Sequence, residues 1–178
     1  MNKKKLLTEM GRIDRDAFAQ SQKLPLVVVL DNVRSLHNVG SVFRTSDAFR
    51  VECIMLCGIT ATPPSAEIHK TALGAEDVVD WKYYESTMDA VAELRSQGYR
   101  IYSIELCQGS IALQDFVTAP GERYAVVLGN EVKGVQQDVV DASDGAIEIP
   151  QFGTKHSLNV SVTAGMVIWE FAKKLGLV

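Results

Sequence analysis

Apolar and polar positions along this chain fall into alternating blocks of strand and helix length. Residues 26–30 (Leu-Val-Val-Val-Leu) form an unbroken apolar run rich in β-branched side chains. Such runs belong to strands covered on both faces, as in a parallel sheet. A polar loop follows over residues 31–38, and from Val39 a helical pattern carries Val42, Phe43, Ala48 and Phe49. Residues 53–56 read as a second strand, which makes the unit strand–loop–helix–strand. Residues 66–73 and 87–97 read as helices, the second with Met88, Val91 and Leu94 on one face and Gly98 as its stop. Residues 78–84, 100–106, 124–128 and 146–149 read as strands, with a short helix near 136–140, while 109–120 reads as loop. The alternation predicts an α/β fold, a mostly parallel sheet flanked by helices.

The two ends carry their own patterns. Residues 3–23 place Leu6, Met10, Ile13 and Ala17 at helical spacing among lysines and arginines. This predicts an amphipathic helical extension, residues 1–23, ahead of a main domain, residues 24–178. At the other end, residues 158–175 are apolar nearly all round (Leu158, Val160, Val162, Met166, Val167, Ile168, Trp169, Phe171). A helix of that kind is expected to be buried on several sides, in the domain or in a dimer interface. Ser157 stands at its expected N-cap. Ahead of it, Pro150 ends a short strand because proline has no N–H to donate, and the loop bends at Gly153.

Composition narrows the class. A chain of 178 residues, 47% hydrophobic and 22% charged, suits one domain with a proper core. The apolar run at residues 24–30 is too short to span a bilayer. Lys3, Lys4 and Lys5 are not followed by the apolar stretch of a signal peptide, so a cytoplasmic protein is expected. The three cysteines (Cys53, Cys57, Cys107) are an odd count without zinc-site spacing and read as thiols in a reducing compartment. The net charge of −4 means that a nucleic-acid partner would require a local basic patch.

In an open α/β sheet, ligands bind beyond the carboxyl ends of the strands, and three polar loops are placed there. The first holds Asn38 and Gly40, with Arg44 further along the same helix. The second is Gly129-Asn130-Glu131 with Gly134. The third runs from Ile149 through Gly153 to Ser161. Phosphate-cradle, dinucleotide, nucleophile-elbow and paired-histidine zinc motifs are absent, which leaves metal-free, nucleotide-like binding by backbone loops.

The segments Asn38-Val39-Gly40-Ser41-Val42-Phe43-Arg44, Leu128-Gly129-Asn130-Glu131-Val132-Lys133-Gly134 and Ile149-Pro150 through Ser157-Leu158-Asn159-Val160-Ser161 resemble, in order, the three motifs of the SpoU (TrmH-like) RNA ribose methyltransferases of the SPOUT superfamily. The resemblance frames nearly all of the chain from Leu26 onward. It implies a SPOUT fold with a C-terminal deep trefoil knot, a homodimer, and S-adenosyl-L-methionine as methyl donor to a ribose 2′-hydroxyl of tRNA or rRNA. It further implies catalytic roles for Arg44, Asn38, Glu131, Ser157 and Asn159. Gly129, Ile149, Leu158 and Ser157 match positions that hold the cofactor, and Glu105, just after another strand, could bound the same pocket. Arg34, Arg44 and Lys155 are the expected RNA contacts, with His37 and His156 nearby.

A ribose hydroxyl is a poor nucleophile at neutral pH, so its proton must be taken as the methyl group transfers. A guanidinium, with a pKa of roughly 12.5 or above, is a weak base unless phosphate or hydrogen bonds assist it. Arg44 therefore moves the proton or grips phosphate. Glu131 could hold a guanidinium through both oxygens. Ser157 and Asn38 also suit plain helix capping, and Cys53, Cys57, Trp81 and Trp169 suit packing. A base-nitrogen methyltransferase and a non-catalytic RNA-binding dimer that keeps the cofactor pocket are the competing readings.

Overall fold

The computed structural model describes residues 2–6, 9, 11, 13–155 and 157–178. In chain order the elements are α1 (Arg15–Gln20), β1 (Leu24–Asp31), α2 (Leu36–Ala48), β2 (Val51–Cys57), α3 (Ala66–Ala72), β3 (Trp81–Tyr84), α4 (Thr87–Ser96), β4 (Tyr99–Ile104), β5 (Ile111–Ala112), β6 (Arg123–Leu128), α5 (Gln137–Ala142), β7 (Gly145–Glu148) and α6 (Val160–Lys174). The seven strands make one sheet in the order β3-β2-β1-β6-β4-β7-β5. Every strand pair in it is parallel. The expected α/β architecture is present, with helices on both faces.

Alternation along β1 explains the layering. Leu26, Val28 and Leu30 point into one core with Val39 and Phe43 of α2 and Val167 and Phe171 of α6. Val27 and Val29 point the other way, into a second core with Val91 and Leu94 of α4 and Val139 of α5. Side chains two residues apart share a face of a strand, so a run of five apolar residues serves both layers. Full burial of each contributes about 1.5–3 kcal/mol.

Serine side chains start three of the helices. Ser35, Ser65 and Ser86 accept from the N–H of Asn38, Ile68 and Met88 at the starts of α2, α3 and α4. Gly98, with φ +80°, follows the end of α4.

Four local expectations change. Among the described residues the N-terminal helix is confined to Arg15–Gln20, because Gly11 takes φ +60° and Asp14 caps a helix starting after it, on the N–H of Ala17. Met10 and Arg12 lie outside the described residues. Asn38 sits inside α2, not in the loop before it, since Ser35 is the cap. The last helix starts later than Ser157 predicts: Asn159 is its N-cap, accepting from the N–H of Ser161 and Val162. Residues 109–120 include the two-residue strand β5, which pairs with the edge of β7. Among the described residues no helix is long and apolar enough to cross a membrane.

Candidate active site

The strands β1, β6, β4 and β7 lie side by side and run the same way, so their carboxyl ends form one rim. The loop after β6 folds back on itself. Asn130 and Gly134 exchange both backbone hydrogen bonds, at 3.0 and 2.9 Å, and the Asn130 Oδ1 accepts from the N–H of Val132 and Lys133. Gly134 takes φ +70°. A Cβ on Gly129 would collide with the backbone of Gly134 and Val135, so the turn closes only with glycine there. The Asn130 amide donates to the Asn32 carbonyl at 2.8 Å and ties this turn to the loop after β1.

Beside the turn lies a cleft of about 690 Å³, in the size range of small-molecule sites. Gly129, Ile149, Leu158, Ser157 and Glu105, the five residues matched to cofactor positions, all line it, as do Glu131 and Asn159. Leu128, Ile147 and Val140 add apolar wall. The Glu105 carboxylate accepts from the N–H of Val135 at 3.0 Å and of Leu106 at 3.0 Å, so it buttresses the wall as well as bounding it.

The three loops meet through side chains. Asn38 donates its amide to Glu131 Oε1 at 3.1 Å, and Asn159 donates to Asn38 Oδ1 at 3.2 Å. Residues 93 and 121 positions apart are thereby joined into one polar chain at the mouth of the cleft. Glu131 differs from the guanidinium clamp that its chemistry suggested. Its two oxygens accept from the N–H of Arg34 at 2.9 Å and of Ser35 at 3.0 Å, the unpaired donors just ahead of α2. Burial works to raise the Glu131 carboxyl, but those two hydrogen bonds lead the effects that outweigh it and hold the group below the usual carboxylate value.

Ser157 is exposed in the loop before α6. Arg44 is exposed on α2, and among the described residues it does not pair with Asp47. Arg34 and Lys155 are exposed as well and stand outside the cleft lining. The His37 ring meets Glu67 at 2.9 Å, and His156 lies outside the described residues. Cys53, Cys57 and Cys107 are free thiols, and burial pushes the first two up to about 12. Trp81 packs against the core, while Trp169 is 48% exposed with its ring set edge-on to Phe49 at 5.7 Å. No group of three or more His, Cys, Asp or Glu among the described residues is arranged to hold a metal ion. Phe152, which the sequence pattern passed over, is 97% exposed in the loop before α6. Asp31 was also passed over. A carboxylate closing a run of buried apolar residues is the signal that could have found it.

The chain belongs to the SpoU rRNA Methylase family, which it matches over residues 25–169. It is 34% identical over 145 residues to the 23S rRNA (guanosine-2′-O-)-methyltransferase RlmB of Nitrosomonas europaea, covering 82% of this chain and 55% of that one. It is 30% identical over 158 residues to the tRNA (guanosine(18)-2′-O)-methyltransferase of Aquifex aeolicus, covering 88% of this chain and 72% of that one. Among solved structures it superposes on the AdoMet-bound rRNA methyltransferase of Sinorhizobium meliloti with a TM-score of 0.79 at 27% identity, covering 90% of this chain and 60% of that one. Against three other curated relatives the chain spans 61% to 65% of their length.

Proposed function

We propose that this chain transfers a methyl group from S-adenosyl-L-methionine to a ribose 2′-hydroxyl of tRNA or rRNA. The observation that carries the reading is the hydrogen-bonded chain Glu131–Asn38–Asn159, which gathers the three family motifs at the mouth of one backbone-built cleft. The cleft suits the cofactor: Leu128, Val140 and Ile147 give it an apolar patch for an adenine, and the carboxylates of Glu105, Glu131 and Glu148 line it, the sign of charge a sulfonium favours. When bound, the cofactor supplies an electrophilic methyl group. Gly129, Ile149, Ser157 and Leu158 hold it through backbone and side chain, and Glu105 braces the wall.

The remaining work falls to residues beside the cleft. Arg44 is exposed on the helix that carries Asn38, free to meet the ribose and take or redirect its proton as the bond forms. Asn38, Ser157 and Asn159 orient the sugar, and Glu131 fixes the start of α2 so that Arg44 stays in place. Arg34, Arg44 and Lys155, all exposed, supply the local positive charge that an RNA needs on an acidic protein.

The reading includes a homodimer and a knotted chain. Val162, Met166 and Trp169 are 48%, 43% and 48% exposed on one stripe of α6, an apolar face that a second copy would cover. The late strands β6 and β7 lie inside the sheet and α6 returns against α2, a path that suits the family's trefoil knot. Residues 1–23 form an extension to the catalytic unit of residues 24–178. The three free thiols suit a cytoplasmic setting.

Labelled methyl transfer to total RNA, followed by digestion to nucleosides, tests the activity: the label is expected on the sugar, and label on a base nitrogen overturns the ribose assignment. Arg44→Ala is expected to abolish transfer while leaving binding of S-adenosylhomocysteine intact, and full activity in that variant removes Arg44 from its role. Met166→Glu is expected to shift sedimentation toward monomer. A wild-type protein that is monomeric at its highest soluble concentration refutes the dimer.

A further inference from the structure

Asp31 ends β1 with its carboxylate fully buried and, among the described residues, without a cationic partner. A charge in that position persists only where hydrogen bonds replace water. Four donors do so. Thr87 Oγ1, Gln136 Nε2 and Asn32 Nδ2 donate to Oδ1 at 2.6, 2.8 and 2.9 Å, and the Gln136 N–H donates to Oδ2 at 2.8 Å.

The partner that matters is Gln136. It follows Val135, whose N–H is held by Glu105 at 3.0 Å. Two consecutive backbone N–H groups are thus gripped by carboxylates from two strand ends, Glu105 after β4 and Asp31 at the end of β1. Together with the exchange between Asn130 and Gly134, these bonds leave residues 129–136 little freedom. That loop is one wall of the cleft, yet neither Asp31 nor Gln136 lines the cleft.

We propose that Asp31 is a positioning residue for donor binding: acting through Gln136, it holds the loop after β6 in the one shape that accepts the nucleoside. The inference rests on the reading of the cleft as an S-adenosylmethionine site. Helix α4 is held by the same carboxylate through Thr87, so the device joins the loop to the second core as well as to the sheet.

The test uses the full chain in four forms: wild type, Gln136→Glu, Asp31→Asn, and the two substitutions combined. Calorimetry with S-adenosylhomocysteine, steady-state kinetics and ligand-free thermal unfolding are read for each. Gln136→Glu replaces a hydrogen bond to a buried carboxylate by a clash of like charges, and is expected to weaken binding about tenfold. The KM for the methyl donor is expected to rise in parallel, with kcat at saturating donor and the ligand-free Tm nearly unchanged. In the combined variant, the amide at position 31 donates to the acid at position 136, and affinity is expected to recover. If Asp31→Asn alone does not fold, Gln136→Ala provides the comparison, with a loss of about threefold. Wild-type affinity in Gln136→Glu, a fall in Tm without a change in affinity, or no recovery in the combined variant overturns the proposal. A wild-type protein that binds no S-adenosylhomocysteine overturns the donor-site reading itself, whatever the variants do.

Discussion

Replacing Glu131 by glutamine isolates the contribution of one carboxylate to the joint between two loops. The native group accepts from the N–H of Arg34 and Ser35 and from the Asn38 amide, at 2.9, 3.0 and 3.1 Å. Glutamine keeps one acceptor oxygen and turns an NH₂ toward a donor, so at least one of the three is left unpaired. A hydrogen bond to a charged group contributes about 1.5–3 kcal/mol. Negative charge near a helix N-terminus adds about 0.3–1 kcal/mol. Glu131 is exposed, and solvent screening reduces both, which leaves a net loss of about 1–2 kcal/mol. For a chain of this length that lowers Tm by about 2–8 °C.

The effect also has a pH signature. Because the folded carboxyl lies below its unfolded value, its stabilisation is complete above the unfolded value and is lost as pH falls through the folded one. The gap between wild type and Glu131→Gln is therefore expected to be constant near neutrality and to close from about pH 4 downward. Thermal unfolding of both proteins from neutral to acid pH measures it. Equal Tm values at neutral pH, or a gap that persists undiminished in acid, refute the reasoning.

Gly40 and Ser46, both on α2, offer two simpler tests. A Cβ on Gly40 would collide with the Ile68 carbonyl and the Thr71 hydroxyl where α2 crosses α3, so Gly40→Ala is expected to destabilise by about 1–3 kcal/mol in urea unfolding. Ser46 is fully buried and its hydroxyl finds no partner among the described residues. Ser46→Ala is expected to leave the urea midpoint unchanged or raise it, whereas a loss above about 1 kcal/mol means that the hydroxyl is paired.

Much of the fold was legible because its central strands are apolar on both faces and its helices carry apolar residues at helical spacing. The run at 26–30 and the strand at 124–128 could hardly be anything else. Where two signals competed, the spacing of apolar residues misled. Leu6 to Ala17 have helical spacing, but Gly11 and Asp14 punctuate the segment, and among the described residues its α-helix is Arg15–Gln20. Ser157 and Asn159 both suit a cap, and Asn159 holds that place because its side-chain oxygen reaches two N–H groups. The strand β5 is too short to carry a pattern.

The candidate site was legible as three loops but not as a network. That Glu131 serves backbone N–H groups, or that Asp31 reaches Gln136 across 105 positions, depends on strand order, which local sequence does not encode. The end of β1 and the loop after β6 are neighbours because β6 lies between β1 and β4.

That strand order has a price during synthesis. Residues 123–128 fill the slot beside β1, yet 97 positions separate Leu128 from Asp31. At ribosomal speeds of about 5–20 residues per second, the nascent chain waits roughly 5–20 seconds with that slot open. Through that interval Leu26 to Leu30 present bare N–H and C=O groups along a hydrophobic ribbon, an invitation to any passing strand. A newborn copy is at its most vulnerable just before its last third emerges.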